Sequence, residues 1–112
     1  MTTKKIVVAS EAGLRIDSIK DISDVLSACL GRGGLLLTES ELSPSFFDLH
    51  SGLAGELFQK CVTYKVRLAI VVAQPADYGK RVSELIHEHR SHPSIWFFDS
   101  KDNARAWLDG PI

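Results

Sequence analysis

The sequence predicts a single α/β domain built on a mostly parallel sheet. Three observations carry that prediction. The run LLLT at residues 35–38 and the second half of VRLAIVVA at 66–73 are apolar without alternation, as in strands covered on both faces. Between such runs lie segments whose apolar residues recur three and four apart, the helical spacing. Beyond residue 17 the two patterns alternate, which implies parallel strands joined by helical crossovers.

The elements follow in order. KKIVVA at residues 4–9 is rich in β-branched residues and reads as a strand. Glu11, Ala12 and Gly13 form a turn, and LRID at 14–17 alternates like a half-buried strand, so the two are expected to pair as an N-terminal hairpin. Ile22, Val25, Leu26, Cys29 and Leu30 make one helical stripe, with Asp21 as its N-cap. The GRGG run at 31–34 ends that helix. It follows a helix and precedes a strand, the reverse of a phosphate-binding loop, so no phosphate site is read there.

Residues 35–38 form a strand whose carboxyl end delivers Glu39, Ser40 and Glu41. Pro44 suits a first helical position. Leu53, Ala54, Leu57, Phe58 and Cys61 make the next apolar stripe, with Ser51 before it as an N-cap. Gly52 and Gly55, three apart, are expected to let this helix pack closely. The central strand at 66–73 is followed by a helix carrying Tyr78, Val82, Leu85, Ile86 and His89 on one face, ended before Pro93. Residues 94–98 form a strand. Ser100 caps a last helix with Ala104, Trp107 and Leu108 facing inward, stopped by Gly110 and Pro111. The predicted order is β-β-α-β-α-β-α-β-α, with about five strands and four helices.

A chain of 112 residues suits one domain. It should bury roughly two-thirds of the surface of its unfolded chain, enough for a core without staples. A net charge of −1 with no basic half excludes an electrostatic grip on nucleic acid. No apolar run approaches the ~18 residues of a membrane span, and residues 1–10 lack a signal-peptide core, so a cytoplasmic protein without a membrane partner is expected. Cys29 and Cys61 sit among apolar helical residues and read as buried reduced thiols.

Several side chains qualify as functional candidates. Glu39, Glu41, Asp48 and Glu56 are placed to converge at the carboxyl edge of the sheet, where α/β proteins bind ligands. Converging carboxylates hold cations or tune acids, and equally cap helices. His87, His89 and His92 are spaced by two and three, which is not the i, i+4 spacing of helical zinc ligands, so no metal and no other cofactor is read. No catalytic set is recognisable. WFF at 96–98 is more aromatic than a solvated strand needs. If that strand is at the sheet edge, the last helix would cover one face and a partner the other, so a homodimer is expected.

LTE at 37–39, FFDLHSGLAGE at 46–56 and KVRLAIV at 65–71 resemble the bacterial family catalogued as domain of unknown function 4180. The resemblance runs over nearly the whole chain and implies no settled activity. The chain departs from that pattern at Val72, Ala73 and Gln74, where the family tends to carry Gly-Asp, and at residues 88–92, which lack a Glu-x-Asn-x-Gly-like turn. DLHSGLA at 48–54 and DSKDNA at 99–104 are also similar to STAS domains, the anti-sigma-factor-antagonist fold. That likeness implies a STAS-like layout and a phosphoacceptor at Ser51. The expectation is a non-enzymatic module acting through protein contacts or regulation, with Glu39, Asp48, Ser51, Gly52 and Glu56 as its site. The alternative is a small-ligand or metal protein, or an enzyme, using the acidic edge at Glu39, Asp48 and Glu56.

Overall fold

The structure, a computed structural model, describes residues 6–89 and 92–109. Its centre is a four-stranded sheet in the order β1 (Val7–Val8), β2 (Leu35–Thr38), β3 (Leu68–Val71), β4 (Ile95–Phe98). All three pairings are parallel, with Leu35 opposite Leu68 and Leu68 opposite Ile95. Around the sheet lie α1 (Ala9–Ala12), α2 (Ile19–Cys29), α3 (Pro44–Phe47), α4 (Leu53–Thr63), α5 (Lys80–Glu88) and α6 (Lys101–Asp109). The α/β class and the parallel sheet are as the sequence implied.

The two-residue period of the strands sorts side chains into two cores. Leu35, Leu37, Leu68, Ile70 and Ile95 face α2, α4 and α5. Leu36, Ala69, Val71 and Phe98 face the opposite way, against Ala104, Trp107 and Leu108 of α6. Leu35, Leu36, Leu37, Leu68 and Ile70 are wholly buried, each worth roughly 1.5–3 kcal/mol over an exposed position. Cys29 and Cys61 are buried and free, and burial pushes their thiols up to about 11 and about 12. Arg67 fastens α6 down. Its guanidinium sits 4.4 Å from the Trp107 ring centre and donates to the Trp107 carbonyl at 2.9 Å.

The N-terminal hairpin is not formed. Residues 9–12 turn into α1, which Gly13 ends in the left-handed conformation at φ 70°. The following segment runs parallel to Leu42, meeting it at the single bridge Ile16–Leu42. The sheet therefore has four strands, and β1 pairs in parallel with β2. The alternation at residues 14–17 reflects one buried side chain, Ile16, in an otherwise exposed or half-buried loop. Asp21 is not the N-cap of α2. Ser18 is, and the Asp21 carboxylate reaches back to the Ser18 and Asp17 amides at 3.1 and 2.9 Å, a capping box. Residues 110–111, read as a helix stop, lie outside the described residues.

The glycine reading also changes. A methyl group on Gly55 would meet nothing within 4 Å, and the same holds at Gly52. Close packing falls instead to Gly34, at φ 155°, where a Cβ would lie 2.7 Å from the Leu108 side chain and 3.1 Å from the Arg67 carbonyl. Gly34→Ala should therefore destabilise the fold by about 1–3 kcal/mol. Gly55→Ala, inside an exposed helix face, should stabilise it by about 0.5–1 kcal/mol. Urea unfolding of both variants checks the contrast, and equal effects would refute this packing assignment.

Candidate functional site

The carboxyl end of β2 carries two of the four acidic residues singled out by the sequence, Glu39 and Glu41. After β2 the chain makes a tight turn, Glu39–Glu41. Glu41 is buried, at 4% exposure, and its two carboxylate oxygens accept from the Thr38 amide at 2.9 Å and the Thr38 hydroxyl at 2.8 Å. A buried carboxylate needs such partners, because an unpaired one would be costly to desolvate. Glu41 is thus a cap of its own turn.

Glu39 reaches sideways. One oxygen accepts from the Ala73 amide at 2.8 Å, and the other accepts from the Tyr78 hydroxyl. The register explains the reach. Thr38 lies opposite Val71, so the residue after β2 meets the exit of β3. Tyr78 closes the turn Pro75–Tyr78 and stacks on Phe47, ring centres 3.9 Å apart and 15° from parallel. Burial, and then the hydrogen bond to Glu39, push the Tyr78 phenol up to about 12, so it remains a donor throughout the neutral range. The sequence placed Tyr78 on a helical stripe. Gly79 instead separates it from α5. Phe47 was passed over as well, and only the parallel register could have pointed to this cluster.

Asp48 caps the turn Leu49–Ser51 by accepting from the His50 amide at 3.1 Å. Ser51 is not the N-cap of α4. Gly52 holds that place at φ 78°, while the Ser51 hydroxyl donates to the Ser45 carbonyl at 2.7 Å and accepts from the Leu53 amide at 3.2 Å. Glu56 pairs with Lys60 along α4 at 3.8 Å. Glu39, Glu41, Asp48 and Glu56 are therefore each held by different groups, and no hydrogen bond joins them. Among the described residues, no three His, Cys, Asp or Glu side chains gather as a metal site would require.

The histidines are structural in a different way. The His89 Nδ1 lies 2.8 Å from the Leu85 carbonyl, so it carries a proton and donates. His92 stacks on His89, ring centres 5.2 Å apart, and its Nδ1 accepts from the Ser94 and Ile95 amides at 3.0 Å each. That atom must be unprotonated to accept. Burial, and then the neighbouring His89, hold the His92 pKa below its ordinary 6.5.

Two predictions follow from these contacts. Tyr78→Phe should cost about 1–2 kcal/mol and Ser51→Ala about 0.5–1.5 kcal/mol, whereas Glu56→Gln at a surface pair should stay within about 0.5 kcal/mol. Equilibrium unfolding in urea ranks the three, and a Glu56 variant as costly as Tyr78→Phe would contradict the assignment. As pH falls below about 6.5 the unfolded chain takes up a proton at His92 before the folded one does. The stability held by neutral His92 is complete above that value and is lost as pH drops through the lower folded pKa. Melting temperature should thus fall more steeply between about pH 7 and pH 5 in the wild type than in His92→Asn, which keeps an acceptor without a titration.

Comparison with known proteins bears on what this geometry belongs to. No curated protein and no solved structure matches the chain. The likeness to STAS domains therefore rests on residues 48–54 and 99–104 alone. A family match does exist, to the domain of unknown function DUF4180, and it spans residues 1–108. The chain belongs to the DUF4180 family.

Proposed function

We propose that this protein is a non-enzymatic module that works by contact with another chain, through the free edge of β4, and that the partner is a second copy of itself. The observation that carries this reading is the state of that edge. β3 donates from the Leu68 and Val72 amides to the Ser94 and Phe98 carbonyls. Residues 94, 96 and 98 thus turn their backbone toward β3, and residues 95, 97 and 99 turn theirs outward. The Ile95 amide is taken by His92. The Phe97 amide and carbonyl and the Ile95 carbonyl have no partner among the described residues.

Such an edge is a template for another strand. Proteins usually guard it with a charge, a proline or a bulge, and Ile95–Phe98 contains none of these. The partner reading shifts in one respect from the sequence expectation. Both faces of β4 are partly covered within the chain, because Phe97 packs on Phe58 and His89, while Trp96 stacks on Trp107 and Phe98 lies tilted against it. The backbone edge is what stands ready to pair. Two copies related by a two-fold axis would pair it with itself, the commonest oligomer symmetry, and a net charge of −1 opposes this little.

Ser51 remains the candidate for regulation. It is exposed and lies just before α4, and a phosphate there would remove the donor that holds the Ser45 carbonyl. A ligand site at Glu39, Asp48 and Glu56 draws less support, since both Glu39 oxygens are engaged within the fold.

The reading predicts concentration-dependent association. Sedimentation equilibrium should give a mass that rises toward the dimer with protein concentration. Over the same range the Phe97 amide should exchange with solvent progressively more slowly. A chain that stays monomeric, with Phe97 exchange independent of concentration, would exclude it.

A further inference from the structure

We propose that the crevice between the exits of β3 and β4 binds a small arylalkyl amine, an aromatic ring bearing an alkylammonium group. In open α/β sheets a crevice forms where neighbouring strands send their following connections to opposite faces. β1, β2 and β3 lead to α2, α4 and α5, whose Ile22, Val25, Leu26, Leu57, Phe58, Leu85 and Ile86 belong to or pack on the core on one face. β4 leads to α6, whose Ala104 and Leu108 belong to the core on the other. The connections therefore diverge at the β3–β4 pair. A cavity of about 290 Å³ opens at that place, reached by Val72 and Pro75 from the β3 side and by Phe98 and Asp99 from the β4 side. Its volume is at the small end for ligand pockets and suits a single ring with a short side chain.

The lining selects the charge of the ligand. Among the described residues that line it, apart from His89, there is one ionisable side chain, Asp99, and neither lysine nor arginine. Asp99 is exposed, and one of its oxygens receives the Asn103 side-chain amide at 3.3 Å. Its other oxygen accepts nothing from the described residues. With Nδ1 of His89 donating to Leu85, the remaining nitrogen of a neutral His89 is an acceptor as well. Trp96, Phe97 and Phe98 supply aromatic surface. Acceptors and π faces together favour a donor-bearing cation, while a carboxylate or phosphate would meet Asp99 with no lysine or arginine among the described lining residues to offset it. The crevice is formed within one chain, so this inference is independent of self-association.

Amide NMR titration of the whole chain near neutral pH tests it, with phenethylamine as the probe and phenethyl alcohol and phenylacetate as neutral and anionic counterparts. Phenethylamine should give saturable shifts at Ile86, Phe98, Asp99 and the Trp96 indole. The alcohol should bind about tenfold or more weakly, and phenylacetate more weakly still. Asp99→Asn, a change at an exposed position, should weaken the amine by about tenfold and leave the alcohol unchanged. The proposal is overturned if phenethylamine gives no saturable shift, or if its shifts map to a second groove, between α2 and α4, lined by Ile22, Leu26, Leu30, Lys60 and Tyr64. It is equally overturned if phenylacetate binds as well as the amine, or if Asp99→Asn makes no difference.

Discussion

Everything in this fold depends on the parallel ladder between β2 and β3, four residues of each, buried on both sides. Strands this short stabilise little by themselves. They hold because Leu35, Leu37, Leu68 and Ile70 complete one core and Leu36, Ala69 and Val71 the other. The ladder also fixes where the chain leaves the sheet. With Thr38 opposite Val71, the turns that follow both strands must share one edge, and their polar groups must satisfy one another or water.

That requirement explains the acidic residues. Glu41 closes on Thr38, Glu39 spans from the end of β2 to Ala73 and Tyr78, and Asp48 closes on His50. Each carboxylate satisfies donors that a tight turn would otherwise leave open. A density of acids at a strand exit reads as a ligand site when only the sequence is known. Here Glu41 and Asp48 each close their own turn, and Glu39 alone joins the exit of β2 to that of β3. Ser51 does similar work, holding Ser45 on one side and Leu53 on the other.

The fourth strand differs from the other three. β4 is the last strand and sits at the edge, so its outward backbone groups have no ladder to join. The chain then crosses to the opposite face, where Arg67 holds α6 by its final carbonyls and by the Trp107 ring. An open edge and a crevice thus arise from one topological event. His92 shapes the entry to that strand, because its ring must stay neutral for the Ser94 and Ile95 amides to be held.

The sequence by itself determined the class, the four long helices and the three longer strands. Their signals are local: the apolar runs at 35–38 and 68–71, the stripe from Ile22 to Cys29, and Ser100, whose hydroxyl accepts from the Asn103 amide as a cap should. It misjudged features whose cause is distant in the chain. The alternation at 14–17 looks like a hairpin strand, but Ile16 bridges in parallel to Leu42, far along the chain, and joins the same core. Gly52 and Gly55 look like packing glycines, yet the close contact is at Gly34, which meets Leu108 and Arg67, while Gly52 is called for by its left-handed backbone. Glu39, Asp48 and Glu56 could be listed from the sequence, but whether they share a ligand or spend themselves on separate partners depends on register. Register and strand order are tertiary properties, because they are set by which surfaces bury one another. Only they could show that Glu39 meets Tyr78, and that the chain changes face after β4.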